Sequence, residues 1–313
     1  MRAVIRSLFK KFMYFILPEK VFYPLLNWYL RKRDNLHKKK KLFVASLRRR
    51  LSLPTHKKLD KIRFGIHIAE HCNLNCAYCG HFSPIAEPEL MPVDVFRRDF
   101  ERMAELFNHE CDLIWLYGGE PLLHPEIITL MEIARKNFTS GRIEILTNGI
   151  LLAKQPPSFW EACRDNNIEI HVTHYNVDIN IGRIRELVSQ YGIAFNYSDY
   201  TCMDFFHMHI NIAGNGNGRK SFDVCRDVND CIMLEHGMLS TCPVTFCIRH
   251  FNKKFGVNIP VTPKDYIDIY KENDPDKILQ LLTEEIPLCK YCNAVENTSV
   301  AWGRSKREIS EWV

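Results

Sequence analysis

Three cysteines within eight residues constrain this chain more than any other feature. They are Cys72, Cys76 and Cys79, in the run His71-Cys72-Asn73-Leu74-Asn75-Cys76-Ala77-Tyr78-Cys79-Gly80. The spacing C-x3-C-x2-C places three thiolates on one short loop. Iron–sulfur cubanes take four thiolates. Three thiolates therefore leave one iron without a protein ligand, and an open metal position is where chemistry happens, as it is in catalytic zinc sites. A zinc knuckle is the competing reading, but zinc sites bring paired C-x2-4-C elements and four ligands. The loop thus points to a redox enzyme built around an exchangeable iron.

A chain of 313 residues has room for one large α/β domain and a small appendage. Its twelve cysteines come with no small-residue cleavage site behind the basic, apolar N-terminus. The expectation is therefore a cytoplasmic chain, with the clustered thiols as metal ligands rather than disulfides. The net charge of +5 hides an asymmetry. Residues 1–64 carry 19 Lys and Arg against Glu19, Asp34 and Asp60, and the rest of the chain is acidic. The arm, residues 1–63, mixes Phe9, Phe12, Phe15, Trp28 and Tyr29 with Lys38–Lys41 and Arg48–Arg50. Its apolar run is broken by Pro18, Glu19 and Lys20, too soon for a spanning helix. It reads as a basic amphipathic helix, packed on the body or lying on the inner membrane surface. No nucleic-acid module is recognisable, so no nucleic-acid partner is expected.

From residue 64 the pattern alternates strand and helix. Strands are expected at 64–69, 113–117, 142–146, 168–173 and 193–197, with helices at 93–107, 125–136, 157–166 and 181–191. Alternating βα units imply a parallel sheet. Reactive groups then sit at the C-terminal strand ends, where the cysteine loop follows the first strand. The second strand ends in Gly118-Gly119-Glu120-Pro121, the third in Thr147-Asn148-Gly149 and the fourth in Thr173-His174-Tyr175. His174 is a candidate proton-transfer group. Asp199, Asp204, His207 and His209 follow the fifth strand as unranked candidates for the substrate side.

Together these motifs resemble the radical S-adenosylmethionine (radical SAM) enzymes, with Tyr78 in the aromatic slot of C-x3-C-x-aromatic-C. The resemblance implies a partial (β/α)6 barrel over residues 64–210. It also implies a [4Fe–4S] cluster on Cys72, Cys76 and Cys79 whose open iron is chelated by SAM. Gly118, Gly119 and Glu120 would bind the SAM amino group. Thr147, Asn148 and Thr173 are the expected ribose and carboxylate contacts, and Tyr78 belongs to the same cofactor site. The partner this implies is a flavodoxin- or ferredoxin-type electron donor.

Residues 211–313 hold a second cysteine set. Cys225 precedes Gly237-Met238-Leu239-Ser240-Thr241-Cys242, and Cys289-Lys290-Tyr291-Cys292 follows. This is similar to the twitch and SPASM auxiliary domains, where a glycine permits the hairpin before the second ligand. The resemblance implies one further [4Fe–4S] cluster on Cys225, Cys242, Cys289 and Cys292. Cys231 is the alternative to Cys225, Cys247 is a weaker candidate, and zinc is the competing metal. Cys111, Cys163 and Cys202 read as buried thiols, and Gly214–Gly218 as a flexible linker. The segment 302–313 is similar to largely uncharacterised bacterial radical SAM proteins, some linked to surface-glycan or secondary-metabolite clusters.

The implied function is oxidation or rearrangement of a sugar-like small molecule by a 5′-deoxyadenosyl radical, as in twitch-bearing aminocyclitol dehydrogenases. Maturation of a ribosomally made peptide is the alternative enzyme. A non-enzymatic iron–sulfur electron carrier is the alternative of another class, and an SAM pocket argues against it. Substrate, general base, reductant and oligomeric state are not legible in the chain.

Overall fold

The computed structural model describes residues 19–51, 53, 55–199 and 204–313. The first eighteen residues of the arm and Cys202 lie outside them.

In the order of the chain, α1 (Glu19–Arg50) is followed by the alternating units β1 (Arg63–Ala69), α2 (Val93–Leu106), β2 (Leu113–Gly118), α3 (Ile127–Asn137), β3 (Arg142–Thr147), α4 (Pro157–Asp165), β4 (Ile168–His174), α5 (Ile181–Tyr191) and β5 (Phe195–Asp199). Each strand alternates. Phe64, Ile66 and Ile68 of β1, Ile114 and Leu116 of β2, Ile143 and Ile145 of β3, and Ile168, Ile170 and Val172 of β4 are buried in one apolar core. The intervening His67, Tyr117, Glu144 and His171 share the other face, because successive side chains of a strand point to opposite sides. Helix α2 meets the core through Phe96, Phe100, Met103 and Ala104, one helical stripe, with the Phe96 and Phe100 rings stacked at 4.1 Å. Each such side chain taken fully from water contributes about 1.5–3 kcal/mol before entropy is counted.

Strands β1 to β5 are parallel in the order β5-β4-β3-β2-β1. The sixth parallel strand comes from beyond residue 210. After β6 (Asp204–His207) and α6 (Gly218–Val224), the strand β7 (Met233–Glu235) pairs parallel with β1 on its free edge. It continues antiparallel into β8 (Met238–Ser240) and, after α7 (Val244–Phe255), into β9 (Ile267–Asp268). The architecture is the expected α/β class, an open and mostly parallel sheet with α2 to α5 against one face. The sheet, however, crosses the boundary expected at residue 210, and β6 leaves it to pair with β10 (Thr298–Ala301), which follows α8 (Pro275–Leu281). The tight turn at Gly237 is present, with φ of +77° there and +48° at His236, the mirror-type turn that favours glycine.

One expectation changes. The glycines of 214–218 are not a loose linker: a Cβ at Gly214 would meet the Tyr291 ring at 2.4 Å, and one at Gly216 the Lys290 carbonyl at 2.6 Å. The segment is pressed against the second cysteine pair, and Asn217 caps α6 by accepting from Lys220 N. The described part of the arm packs on the body. Asp34 accepts from the Ser299 amide and hydroxyl at 3.0 and 2.8 Å, Lys38 Nζ donates to Val295 O at 2.8 Å, and Arg49 pairs with buried Asp223. No described helix is long and apolar enough to cross a membrane.

Candidate functional site

The cysteine loop leaves β1 and turns back on itself through left-handed residues, Asn75 (φ 56°), Tyr78 (62°) and Phe82 (55°). The C-terminal segment straps it down. Ala77 N donates to Gly303 O at 2.8 Å, Ser305 N to Asn75 O at 2.9 Å, and Trp312 Nε1 to Cys79 O at 2.9 Å. N–H groups point at the sulfurs: Leu74 N and Asn148 Nδ2 at Cys72 (3.4 and 3.6 Å), and Trp302 Nε1 at Cys76 (3.1 Å). Backbone N–H groups of Ser83, His81 and Phe82 face Cys79. Burial pushes the Cys72 thiol up to about 12 and raises Cys76 and Cys79 as well. Thiolates in such a pocket need a metal to carry the opposite charge. Three buried sulfurs ringed by N–H donors fit an iron–sulfur cluster, whose potential such hydrogen bonds set.

The other strand ends close around the loop. Gly119 N donates to Ala69 O at 2.7 Å and Glu120 N to His71 O at 3.1 Å. A Cβ at Gly119 would lie 2.1 Å from His71 O, so the glycine is needed to bring the β2 end against the cysteine loop. Glu120 is fully buried. Its Oε1 accepts from Leu122 N (3.1 Å) and Thr147 Oγ1 (2.7 Å), and its Oε2 from Asn148 N (2.9 Å). Burial outweighs these bonds and raises its carboxyl to about 7. The expectation was a carboxylate open to an ammonium group; the structure instead uses it to lock β2 to the Thr147–Asn148 turn. Asn148 Nδ2 also donates to Asn73 Oδ1 at 2.7 Å, placing its amide over the loop.

Cys72, Cys76, Cys79, Gly118, Gly119, Thr147, Asn148 and Thr173 line one cavity of about 280 Å³ at the strand ends. Tyr78, Glu120 and His174 do not line it. Both ring nitrogens of His174 are engaged, Nδ1 with Tyr197 Oη at 2.6 Å and Nε2 with Val177 O at 2.9 Å. The strand alternation that sends Thr173 and Tyr175 into the cavity sends His174 away from it. Asp199 and His209 are also outside this lining.

Cys225, Cys242, Cys289 and Cys292 line a second, apolar pocket with Met208, Phe222, Val244 and Leu288. Burial raises all four thiols, and each of Cys225, Cys289 and Cys292 acts on Cys242. They arrive from four places: the end of α6, the turn after β8, and the two ends of the Cys289–Cys292 turn. The alternative ligand Cys231 turns into the first cavity beside Asp227. Cys247 is buried elsewhere, 3.7 Å from His67 Nδ1.

A polar group unseen in the sequence lies beneath the first cavity. His67 Nε2 meets His81 Nδ1 at 2.5 Å, and His67 Nδ1 faces the Glu70 carboxylate at 3.2 Å. His250 Nε2 holds Glu70 at 2.9 Å. Burial opposes ionisation of Glu70, but His67, His250 and Arg249 outweigh it and hold its carboxyl below the usual range. Burial, then His67, pushes His81 down to about 3. The one available signal was His67 on the inward face of β1, in phase with Gly65.

The family model of the Radical SAM superfamily matches residues 66–195. GTP 3′,8-cyclase of Chlorobaculum tepidum is 35% identical over 107 residues, 34% of this chain and 31% of that protein. Molybdenum cofactor biosynthesis protein 1 of Bos taurus is 36% identical over 100 residues, 31% of this chain and 15% of that protein. The chain thus spans less than a third of the length of these curated relatives. Among solved structures, BtrN in complex with AdoMet and 2-DOIA is 20% identical, covers 75% of this chain and 94% of its own, and has a TM-score of 0.49.

Proposed function

This chain belongs to the Radical SAM superfamily through residues 66–195, and from that premise we propose that it oxidises or rearranges a sugar-like small molecule with the help of a second iron–sulfur site. The superfamily's cofactors are a [4Fe–4S] cluster and SAM. Cys72, Cys76 and Cys79 are the residues that would hold the first cluster. Gly118, Gly119, Thr147, Asn148 and Thr173 would bind SAM, and Cys225, Cys242, Cys289 and Cys292 would hold the second cluster. Bound there, the first cluster with SAM would supply radical hydrogen abstraction, and the second cluster would supply a one-electron acceptor. The protein's part is to hold Asn148 over the loop through Glu120, to keep the sulfurs from water with the 302–312 strap, and to set the two sites side by side.

One observation carries this reading: Met208 and Val244 line both the SAM cavity and the four-cysteine pocket. Two cavities that share wall residues would suit oxidation of the substrate, with the four-cysteine site supplying an electron acceptor, more than simple hydrogen exchange. The test is a screen of deuterated sugars and peptides for deuterium transfer into 5′-deoxyadenosine. Transfer from a sugar with loss of two hydrogens supports the reading; transfer from peptides alone contradicts it.

Contact of α1 with an anionic membrane surface belongs to the same proposal. Leu36 (72% exposed), Phe43 (71%), Leu25 and Leu47 share one outward side of α1 and project near Lys32, Lys39 and Lys40. Sedimentation with anionic vesicles should fall in Leu36→Glu/Phe43→Glu; equal sedimentation contradicts the contact.

A further inference from the structure

A cleft of about 1100 Å³ runs between α1 and the second cysteine site. Arg33, Lys38, Lys39, Lys40, Lys41 and Arg226 line it, against two carboxylates, Asp34 and Asp227. Asp34 is already committed to Ser299 and to Arg33, so the lining holds four lysines and Arg226 against Asp227. Lys38 and Lys41 are braced by neutral backbone carbonyls, Lys41 Nζ donating to Cys225 O at 3.2 Å. Five of these six cations come from α1, and Arg226 faces them from the body.

The cleft is continuous with both chemical sites. It shares Met208 and Asp227 with the SAM cavity, and Cys225, Cys242 and Cys292 with the four-cysteine pocket. A molecule whose reacting carbon lies in the SAM cavity therefore has the cationic cleft as its way out. Leu36 and Phe43 stand at the rim. Ammonium and guanidinium groups gathered in one cleft select charged oxygen clusters, with phosphate foremost.

We propose that this cleft binds a phosphate or diphosphate group of the substrate, so that the sugar-like molecule is turned over in phosphorylated or phosphate-linked form. The inference rests on the functional reading above for the position of the reacting carbon, but the cleft itself is assayed without turnover. A recessed cleft that leads into the radical cavity suits a small-molecule group better than the flat face of a partner protein. The phosphate has two sources, a soluble phosphorylated molecule or a lipid headgroup, and the apolar rim is compatible with either.

The test uses the full chain, anaerobically reconstituted, with two probes: inorganic pyrophosphate by calorimetry and vesicles containing phosphatidic acid by sedimentation. The variant is Lys39→Glu/Lys40→Glu, both exposed. Its charge-matched control is Lys253→Glu/Lys254→Glu, outside the cleft. The expected result is pyrophosphate binding that weakens about tenfold or more in the cleft variant and is unchanged in the control, reversing two charges at contact range in a screened site. A response confined to the vesicles, lysine-dependent and phosphate-selective against neutral-lipid vesicles, also supports the proposal and assigns the phosphate to a lipid. Equal affinity of unmodified chain and cleft variant in both arms overturns it. Flat phosphate arms with slower reduction of the variant by an acidic flavodoxin overturn it in favour of protein docking. Failure of the functional reading shows separately, as absence of SAM cleavage on reduction by dithionite.

Discussion

The two cysteine sites offer the same kind of ligand atom and are built in opposite ways. The first draws three sulfurs from eight consecutive residues, turned inward by left-handed Asn75 and Tyr78. The second draws four sulfurs from α6, the β8 turn and the 289–292 turn, segments far apart in the chain. The first is polar, with N–H donors from Leu74, Asn148 and Trp302 on its sulfurs. The second is walled by Met208, Phe222, Val244 and Leu288. A loop-encoded site with three ligands and an open face suits a ligand that comes and goes. A site assembled by tertiary packing, with four ligands and apolar walls, suits a group that stays and exchanges only electrons.

That comparison can be broken by separating the two sites. The largest effect is expected for Cys242→Ser/Cys292→Ser. Product formation should fall to background while reductive SAM cleavage stays within a few-fold of the unmodified chain. If SAM cleavage disappears as well, the sites are one functional unit and the comparison fails. Next is Glu120→Ala. It removes the carboxylate that holds Thr147, Asn148 and Leu122, so SAM affinity should drop about tenfold, roughly 1.4 kcal/mol, with iron content unchanged. Equal affinity by calorimetry would remove Glu120 from the account of SAM binding. The smallest effect sharpens the polar-versus-apolar contrast. Trp302→Phe deletes the N–H donor to Cys76 Sγ but keeps the aromatic ring. The potential of the first cluster should move to more negative values by on the order of tens of millivolts, and that of the second should hold. Spectroscopic redox titration reads both; an unmoved first potential contradicts a tuning role for that bond.

The same contrast explains what was legible. The Cys72 loop, the Gly118–Gly119 turn and Thr147–Asn148 are local patterns, each at the end of a strand that its own alternation announces, and the expected strand and helix ranges agree with the observed ones within about two residues. The rest depends on contacts between distant segments. Nothing in the spacing of Cys225 and Cys231 says that the second turns into the SAM cavity, because that follows from how 225–231 packs against α1 and β7. The sixth parallel strand is three residues long and pairs on the far edge of β1, too short to have a period of its own. The strap of Trp302 and Trp312 over the cysteine loop joins residues more than 220 positions apart. Glu120 shows a subtler failure: its position was legible, but its partners were not, and those partners make it a brace. The place of His174 was hidden for a related reason: its neighbours in sequence face the cavity and it does not.

The central claim, two separate clusters in one chain, is tested most directly by iron and sulfide content per chain after anaerobic reconstitution. The unmodified protein is compared with the variant Cys72→Ala/Cys76→Ala/Cys79→Ala. The account predicts roughly eight irons falling to roughly four. Roughly four falling to none would contradict it, leaving the four-cysteine pocket to zinc or to structure alone and the proposed oxidation without its electron acceptor.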